Sequence, residues 1–560
     1  MMRGNRSRRR LALLVIVTML MTWLPLTAAA QGADPDVVVF TVDLNQYEVN
    51  GELVEADAAP YIQDNRIMVP VAFVSRALGA EVAWEAATKT VTVVKDEDVI
   101  TMVIGSQQLM KNGELFEEMD TVPVIQITAD GLGRTMLPVS RLARALDMSY
   151  FWDGEEKTVT FVSSTMPPYD QTGLTSEWDA AIFQIMEEFG VAAISAAVVE
   201  NDQVTWSGSY GWHDMNEGTV LRPDSAIRIA SISKSVTALA VMQLVEAGEI
   251  VLDEDINAYL SQRLEELEVE IRNPLYPDTP VTVKQLLNHT SGIRNSQYVA
   301  FSTAAREKTP VPTLDDYFGE TGEFYHEDHW ATFGPGDEFE YSNMGYVILG
   351  AIIESMSGER FDVYTEENIL APLGMNNSSF NVNELSPEQV TPMYRRESDL
   401  PHFSQTLLPQ NPSYEDYVPG THGGMFGPQG GLLATSEDLA AFMVFMINGD
   451  EAILSNELLD EMHSISVETD KGGAATFWGI YTKKGLGIHV TEEFVDGLTM
   501  YGHPGGAYGI ITDLYYTRDE AENVGIVFLI NGCNEEIFGD RSAYYLIEEA
   551  LADLLYSFTR

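Results

Sequence analysis

The stretch that decides how this chain is read is Arg228-Ile229-Ala230-Ser231-Ile232-Ser233-Lys234-Ser235, which runs into the apolar segment Val236–Leu244. A serine-rich start followed by an unbroken apolar run predicts a helix. Ser231 and Lys234 stand three residues apart, so they share one helix face. Ser231 then lies at the positive end of the helix dipole, which favours a developing oxyanion. A half-buried lysine holds its proton less tightly and can accept or relay one. Alone, the pattern reads more simply as a serine-rich helix start.

Two further motifs follow in order. Pro335-Gly336-Asp337-Glu338-Phe339-Glu340 leads into Tyr341-Ser342-Asn343 and then the apolar helix Tyr346–Ile353. Leu498–Tyr501 reads as a strand entering Gly502-His503-Pro504-Gly505-Gly506. With Ser-x-x-Lys, Tyr-x-Asn and His-x-Gly in this sequence, the chain resembles the serine hydrolases related to class C β-lactamases, which include D,D-peptidases, D-aminopeptidases and esterases. Leu286-Leu287-Asn288-His289-Thr290-Ser291-Gly292-Ile293, Pro372-Leu373-Gly374-Met375, Gly430-Gly431-Leu432 and Thr435-Ser436-Glu437-Asp438-Leu439 carry the likeness further. It covers about residues 175–558.

The resemblance implies an α+β fold of the β-lactamase/transpeptidase type. An antiparallel sheet is flanked by the two terminal helices and faced by an all-helical region. Strands are expected near 191–210, 497–503, 509–517 and 523–531, and a closing helix over Asp540–Phe558. The resemblance also assigns roles. Ser231 is the nucleophile of an acyl-enzyme, and Lys234 and Tyr341 handle the proton. Asn343 binds the substrate amide or steadies Lys234. The backbone N–H groups of Ser231 and Gly506 form the oxyanion hole, and Gly505 permits close approach. No metal or organic cofactor is implied. His503 stands where class C β-lactamases typically carry lysine, so a fixed ammonium is missing there and an efficient β-lactamase is disfavoured. His289 reads as part of a structural signature. His326-Glu327-Asp328-His329 lacks the spacing that sets two ligands on one helix face and reads as a polar loop. Cys533 reads as packed. Tyr298, Phe301, Tyr317 and Phe318 either rim the cleft or cover core.

Ahead of this region lies a repeat. Residues 66–94 and 134–162 align without a gap at an offset of 68. Arg66, Met68, Pro70, Val71, Arg76, Ala77, Leu78 and Trp84 match Arg134, Met136, Pro138, Val139, Arg144, Ala145, Leu146 and Trp152. Each unit predicts an Asn-Gly hairpin, a short helix after the proline and two closing strands. One unit buries little alone, so the copies are expected to pack together. This region resembles the copper amine oxidase N-terminal-like domain over roughly residues 36–165. Residues 31–165 contain neither His nor Cys, so copper finds none of its favoured donors. The domain reads as a small α+β stalk, with Trp84 and Trp152 more readily core than sugar platforms.

The resulting division is 1–30 signal peptide, 36–163 stalk, 164–174 linker and 175–560 hydrolase. Five arginines within the first ten residues, the apolar run Leu11–Leu26 and Thr27-Ala28-Ala29-Ala30 form a secretory signal cut after Ala30. An uncleaved segment would be a membrane anchor. Asp plus Glu number 85 against 32 Lys plus Arg, a net −53 over 560 residues. Such a surface repels phosphate backbones and excludes a nucleic-acid partner. Its acidity fits a saline or alkaline setting as well as a merely acidic secreted protein. A single cysteine excludes an intrachain disulfide. The expected protein is secreted, either free or wall-associated, and acts on a peptide or small-molecule substrate. Leading substrates are D-amino-acid peptides, cell-wall fragments or small esters. The rivals are a β-lactamase and a catalytically idle penicillin- or wall-binding module.

Overall fold

The computed structural model describes residues 37–162 and 177–559 apart from internal breaks, the longest at 261–266, 397–402, 410–413, 470–479, 534–538 and 540–543. The expected signal peptide and linker, and the turn at Gly154, lie outside the described residues.

In the N-terminal region each copy of the repeat runs strand, helical turn, strand, strand. The first comprises Arg66–Pro70, the helix Val71–Ala77, Glu81–Glu85 and Thr90–Lys95. Gly79, at φ +76°, follows the helix in the left-handed region that glycine tolerates. Equivalent strands of the two copies pair antiparallel about a local two-fold, with Met136 opposite Pro70 and Pro138 opposite Met68. Asn112-Gly113 forms a hairpin turn with both residues at positive φ. Trp84 departs from the core expectation. It is 47% exposed, because Glu81–Glu85 is the edge strand of its five-stranded sheet and has a neighbour on one side only. The Trp152 side chain lies outside the described residues.

The second region is built on a nine-stranded antiparallel sheet. Its elements are α1 (Glu177–Phe189), β1 (Ala193–Glu200), β2 (Gln203–Asp214), β3 (Thr219–Val220), α2 (Ser233–Glu246), α3 (Tyr298–Glu307), α4 (Asn343–Ser357), α5 (Ser436–Asn448), β4 (Val467–Glu468), β5 (Lys483–Lys484), β6 (His489–Thr491), β7 (Met500–Ala507), β8 (Ile510–Tyr516), β9 (Val524–Asn531) and α6 (Leu546–Ser557). The strand order is β3-β2-β1-β9-β8-β7-β6-β5-β4. β8 and β9 are buried along their whole length, so both faces are covered and the two-residue period sorts side chains between two cores. Ile510, Leu514 and Tyr516 join the core around α2, α4 and α5. Ile511 and Tyr515 join the core around α1 and α6. Trp178 stacks on Phe558 at 4.3 Å between ring centres, which ties the two terminal helices together. The closing helix starts at Leu546, and residues 540–543 of its expected span lie outside the described residues.

α2 is buried on every side from Ser233 to Met242, as its unpatterned apolarity predicts. It is the central rod of the helical region, and its start is held by the sheet.

Candidate active site

Ser231 lies in a 3-10 turn, Ala230–Ile232, that feeds directly into α2. Ala230 carries a φ of +46°, a conformation costly for a residue with a Cβ and typical of functional turns. Three contacts hold the turn in place, and a fourth fixes α2 behind it. Ile229 N donates to Leu432 O at 2.9 Å. Ser233 Oγ donates to Ala230 O at 2.7 Å. Thr512 Oγ1, on β8, donates to Ile229 O at 2.9 Å. Thr237 Oγ1 donates to Pro428 O at 2.7 Å.

Lys234 Nζ lies 3.1 Å from Ser231 Oγ. It also donates to Gln429 O at 2.5 Å and sits 4.9 Å from the centre of the Tyr341 ring. Lys234 is fully buried. Burial, with Lys484 and Arg228 nearby, holds its pKa well below the usual lysine range. A neutral amine beside a hydroxyl can take the hydroxyl proton.

Tyr341 Oη lies 2.9 Å from Ser231 Oγ. The tyrosine precedes α4, whose N-cap is Ser342, with Oγ accepting from Gly345 N at 2.9 Å. Two residues clamp the motif from outside. Asn295 Nδ2 donates to Tyr341 O at 3.0 Å, and Asn295 Oδ1 accepts from Asn343 N at 2.7 Å. His289, fully buried at φ +61°, accepts from Ser342 N at Nδ1. Burial and the Lys484 and Lys234 charges hold His289 well below the usual imidazole range. It therefore serves as a neutral prop, 4.4 Å from the Tyr341 ring. Asn343 is not a partner of Lys234, whose hydrogen bonds go to Ser231 and Gln429.

β7 passes beside Ser231. A Cβ on Gly505 would lie 2.6 Å from Ile229 O and 3.0 Å from Ser231 N, so only glycine fits there. Gly506 is exposed next to it. His503 is fully buried. Its Nδ1 donates to Pro504 O at 2.7 Å, and its Nε2 lies 3.2 Å from Lys484 Nζ. Burial, Lys484 and Lys234 keep His503 well below the usual imidazole range. The ammonium absent from the third motif is thus supplied from β5, across β6. Burial lowers Lys484 itself to about 7.

Lys484, Gln429 and Asn295 escape the sequence reading. Gln429 precedes a noticed Gly-Gly-Leu, but its contribution is a backbone carbonyl. Lys484 stands 19 residues before His503, and only the strand order brings the two together. The His326–His329 segment is a short turn in which His329 packs against Tyr317 O and Phe324 O. Phe301, Tyr317 and Phe318 are core, while the Tyr298 hydroxyl accepts from Gln429 Nε2 at 2.9 Å. Cys533 is packed, with Sγ 3.2 Å from Gly509 O.

Residues 178–551 match the Beta-lactamase family, and residues 48–161 match the Copper amine oxidase N-terminal domain. The latter stretch has no His or Cys, and among the described residues no group of three or more His, Cys, Asp or Glu could hold a metal. Its donors do not fit copper. Beta-lactamase-like protein 2 of Dictyostelium discoideum is 29% identical over 304 residues, 52% of this chain and 50% of that protein. Penicillin-binding protein 4* of Bacillus subtilis is 27% identical over 266 residues, 47% of this chain and 52% of that protein. The chain thus spans about half the length of these relatives. The octameric penicillin-binding protein homologue from Pyrococcus abyssi superposes with a TM-score of 0.52 at 26% identity, covering 69% of this chain and 77% of that one.

Proposed function

The chain belongs to the β-lactamase family, and on that premise we propose that it is a secreted hydrolase that cleaves amide or ester bonds through an acyl-enzyme on Ser231. The observation that carries this reading is the convergence of Lys234 Nζ and Tyr341 Oη on Ser231 Oγ, at 3.1 and 2.9 Å. Lys234, whose hold on its proton is weakened by burial, takes the Ser231 proton as Oγ attacks the carbonyl. Tyr341 passes a proton to the leaving group. The developing oxyanion is met by the N–H groups of Ser231 and Gly506. Asn343 stands at the mouth of the site for the substrate amide.

The substrates best suited are D-amino-acid peptides, cell-wall fragments or small esters. A β-lactamase is the second reading. Lys484 restores a cation behind His503, but both side chains are buried, so neither presents a charge to a β-lactam carboxylate. Export rests on residues 1–30. N-terminal sequencing of protein recovered from the medium should begin just after Ala30, and an intact Met1 would overturn it.

Intact-mass analysis with excess benzylpenicillin tests the chemistry. A penicilloyl adduct that maps to Ser231 and is absent in Ser231→Ala is expected. A lasting adduct marks a peptidase-like site, and rapid clearance marks a β-lactamase. Hydrolysis of any ester or peptide by Ser231→Ala at the wild-type rate would defeat the nucleophile assignment.

A further inference from the structure

The N-terminal region holds a groove of about 510 Å³, within the range of about 300–1,000 Å³ usual for small-ligand sites. The helix Val71–Ala77 forms its floor. Val74 and Ser75 of that helix are buried, while Phe73 and Arg76 share the outer face and line the groove. The helix packs against two strands, Glu81–Glu85 and Gly133–Pro138, which supply the walls.

The walls differ in chemistry. On one stands Trp84, exposed on its edge strand. On the other, Arg134 is locked to Asp57. Arg134 Nε donates to Asp57 Oδ1 at 2.8 Å, and its Nη2 donates to Asp57 Oδ2. Arg134 Nη1 also donates to Gly133 O at 3.2 Å. The Arg134 and Asp57 side chains are 25% and 38% exposed, so the pair is rigid yet open to the groove.

These groups suit an uncharged, hydroxyl-rich ring. A fixed arginine–aspartate pair sets donors and acceptors side by side. A hydroxyl donates and accepts, so neighbouring hydroxyls satisfy both members at once. An anion drawn to Arg134 is repelled by Asp57, and a cation meets the reverse. The Trp84 indole offers a flat apolar face to the C–H face of a sugar ring. Glu81 and Glu85 bracket Trp84, and charge on an edge strand resists pairing with an extended peptide. The net charge of −53 disfavours an anionic membrane or a nucleic acid.

We propose that this groove is a saccharide site, in which a pyranose ring stacks on Trp84 and its hydroxyls bind the Arg134–Asp57 pair. Phe73 and Arg76 seat the next ring of a glycan chain. The site is independent of Ser231 and needs no hydrolysis to be seen. Its effect is to hold the rest of the chain to a polysaccharide strand.

Calorimetric titration of the full chain with N-acetylchitohexaose and with cellohexaose tests this. At least one hexaose should bind, with saturation reached by millimolar concentration. Trp84→Ala should weaken binding at least about tenfold, and Trp84→Phe should restore part of it. Asp57→Ala should weaken it as well. Trp84 is exposed, so its variants should melt with the wild type by circular dichroism. Binding of N-acetylchitohexaose alone sustains the site and identifies an N-acetylated glycan as its source. Binding of cellohexaose sustains it as a platform for pyranose chains in general. Failure of both hexaoses to bind at millimolar concentration overturns the site, as does affinity that Trp84→Ala leaves undiminished. Undiminished affinity in Asp57→Ala overturns the role of the ion pair.

Discussion

Two buried groups flank the nine-stranded sheet, a set of bases beside Ser231 and an acid pair under α6, although His489 is also buried on the α6 side and Glu354 on the helical side. On the α2 face lie Lys234 and Lys484, with His289 and His503, all fully buried and all held below their ordinary pKa values. On the α6 face lie Asp513 of β8 and Glu548 of α6, also buried and facing one another. Burial pushes Asp513 well up and Glu548 up to about 7. One physical cause, the loss of water around a charge, makes proton acceptors of the buried bases and proton holders of the buried acids. Only the first set touches a hydroxyl that can react. The difference teaches that desolvation alone does not mark a catalytic site. What marks it is a partner such as Ser231, on a strained turn open to the cleft.

The pH consequences have opposite signs. Lys484 binds its proton less well folded, at about 7 against 10.5. Its penalty is in force below about pH 7, so its contribution to stability rises with pH across that interval. Glu548 binds its proton better folded, at about 7 against 4.5. Its contribution is present at low pH and is lost as pH rises through that window.

Three changes sharpen the contrast, beyond the loss of Ser231 itself. Gly505→Ala should strike hardest. The new Cβ meets Thr512 Oγ1 at 2.4 Å and Ile229 O at 2.6 Å, displacing β7 from the nucleophile. Loss of oxyanion-hole geometry should lower kcat by about 10²- to 10³-fold, and a steady-state assay against the best ester found would show it. Lys484→Met comes next. Without that charge, Lys234 and His503 regain protons more readily, so the acid limb of the pH–rate profile should move to higher pH. Activity at pH 6.5 should fall by about tenfold while KM changes little. An unmoved profile would separate Lys484 from catalysis. Asp513→Asn is the smallest and should leave activity alone. It removes one of two buried carboxyl groups that hold their protons above the usual carboxylate range, so melting curves should show the variant gaining on wild type as pH rises above about 5. A parallel shift at all pH values would break the comparison.

What the sequence made legible follows how local each feature is. Ser231 and Lys234 are one helical turn apart, and Tyr341-Ser342-Asn343 is a helix entry, so spacing alone relates their side chains. The expected strands near 509–517 and 523–531 appear as Ile510–Tyr516 and Val524–Asn531, because continuous apolar runs signal strands covered on both faces. The repeat was visible because identical residues recur at a fixed offset. Lys484 reaching His503 depends on the register of β5 on β6 and β6 on β7, which no local pattern encodes. Asp513 meeting Glu548 depends on how α6 docks. Trp84 misled because a matched tryptophan suggests core, whereas an edge strand gives it only half a wall.

The pairing of β1 with β9 encloses almost the entire second region between its two partner strands. Ser231 is therefore synthesised long before Gly506, and the strand that brings Gly505 and Gly506 beside it is among the last to emerge. A growing chain carries Ser231 without that neighbour. The proposed activity has to wait until the terminal strands zip into the middle of the sheet.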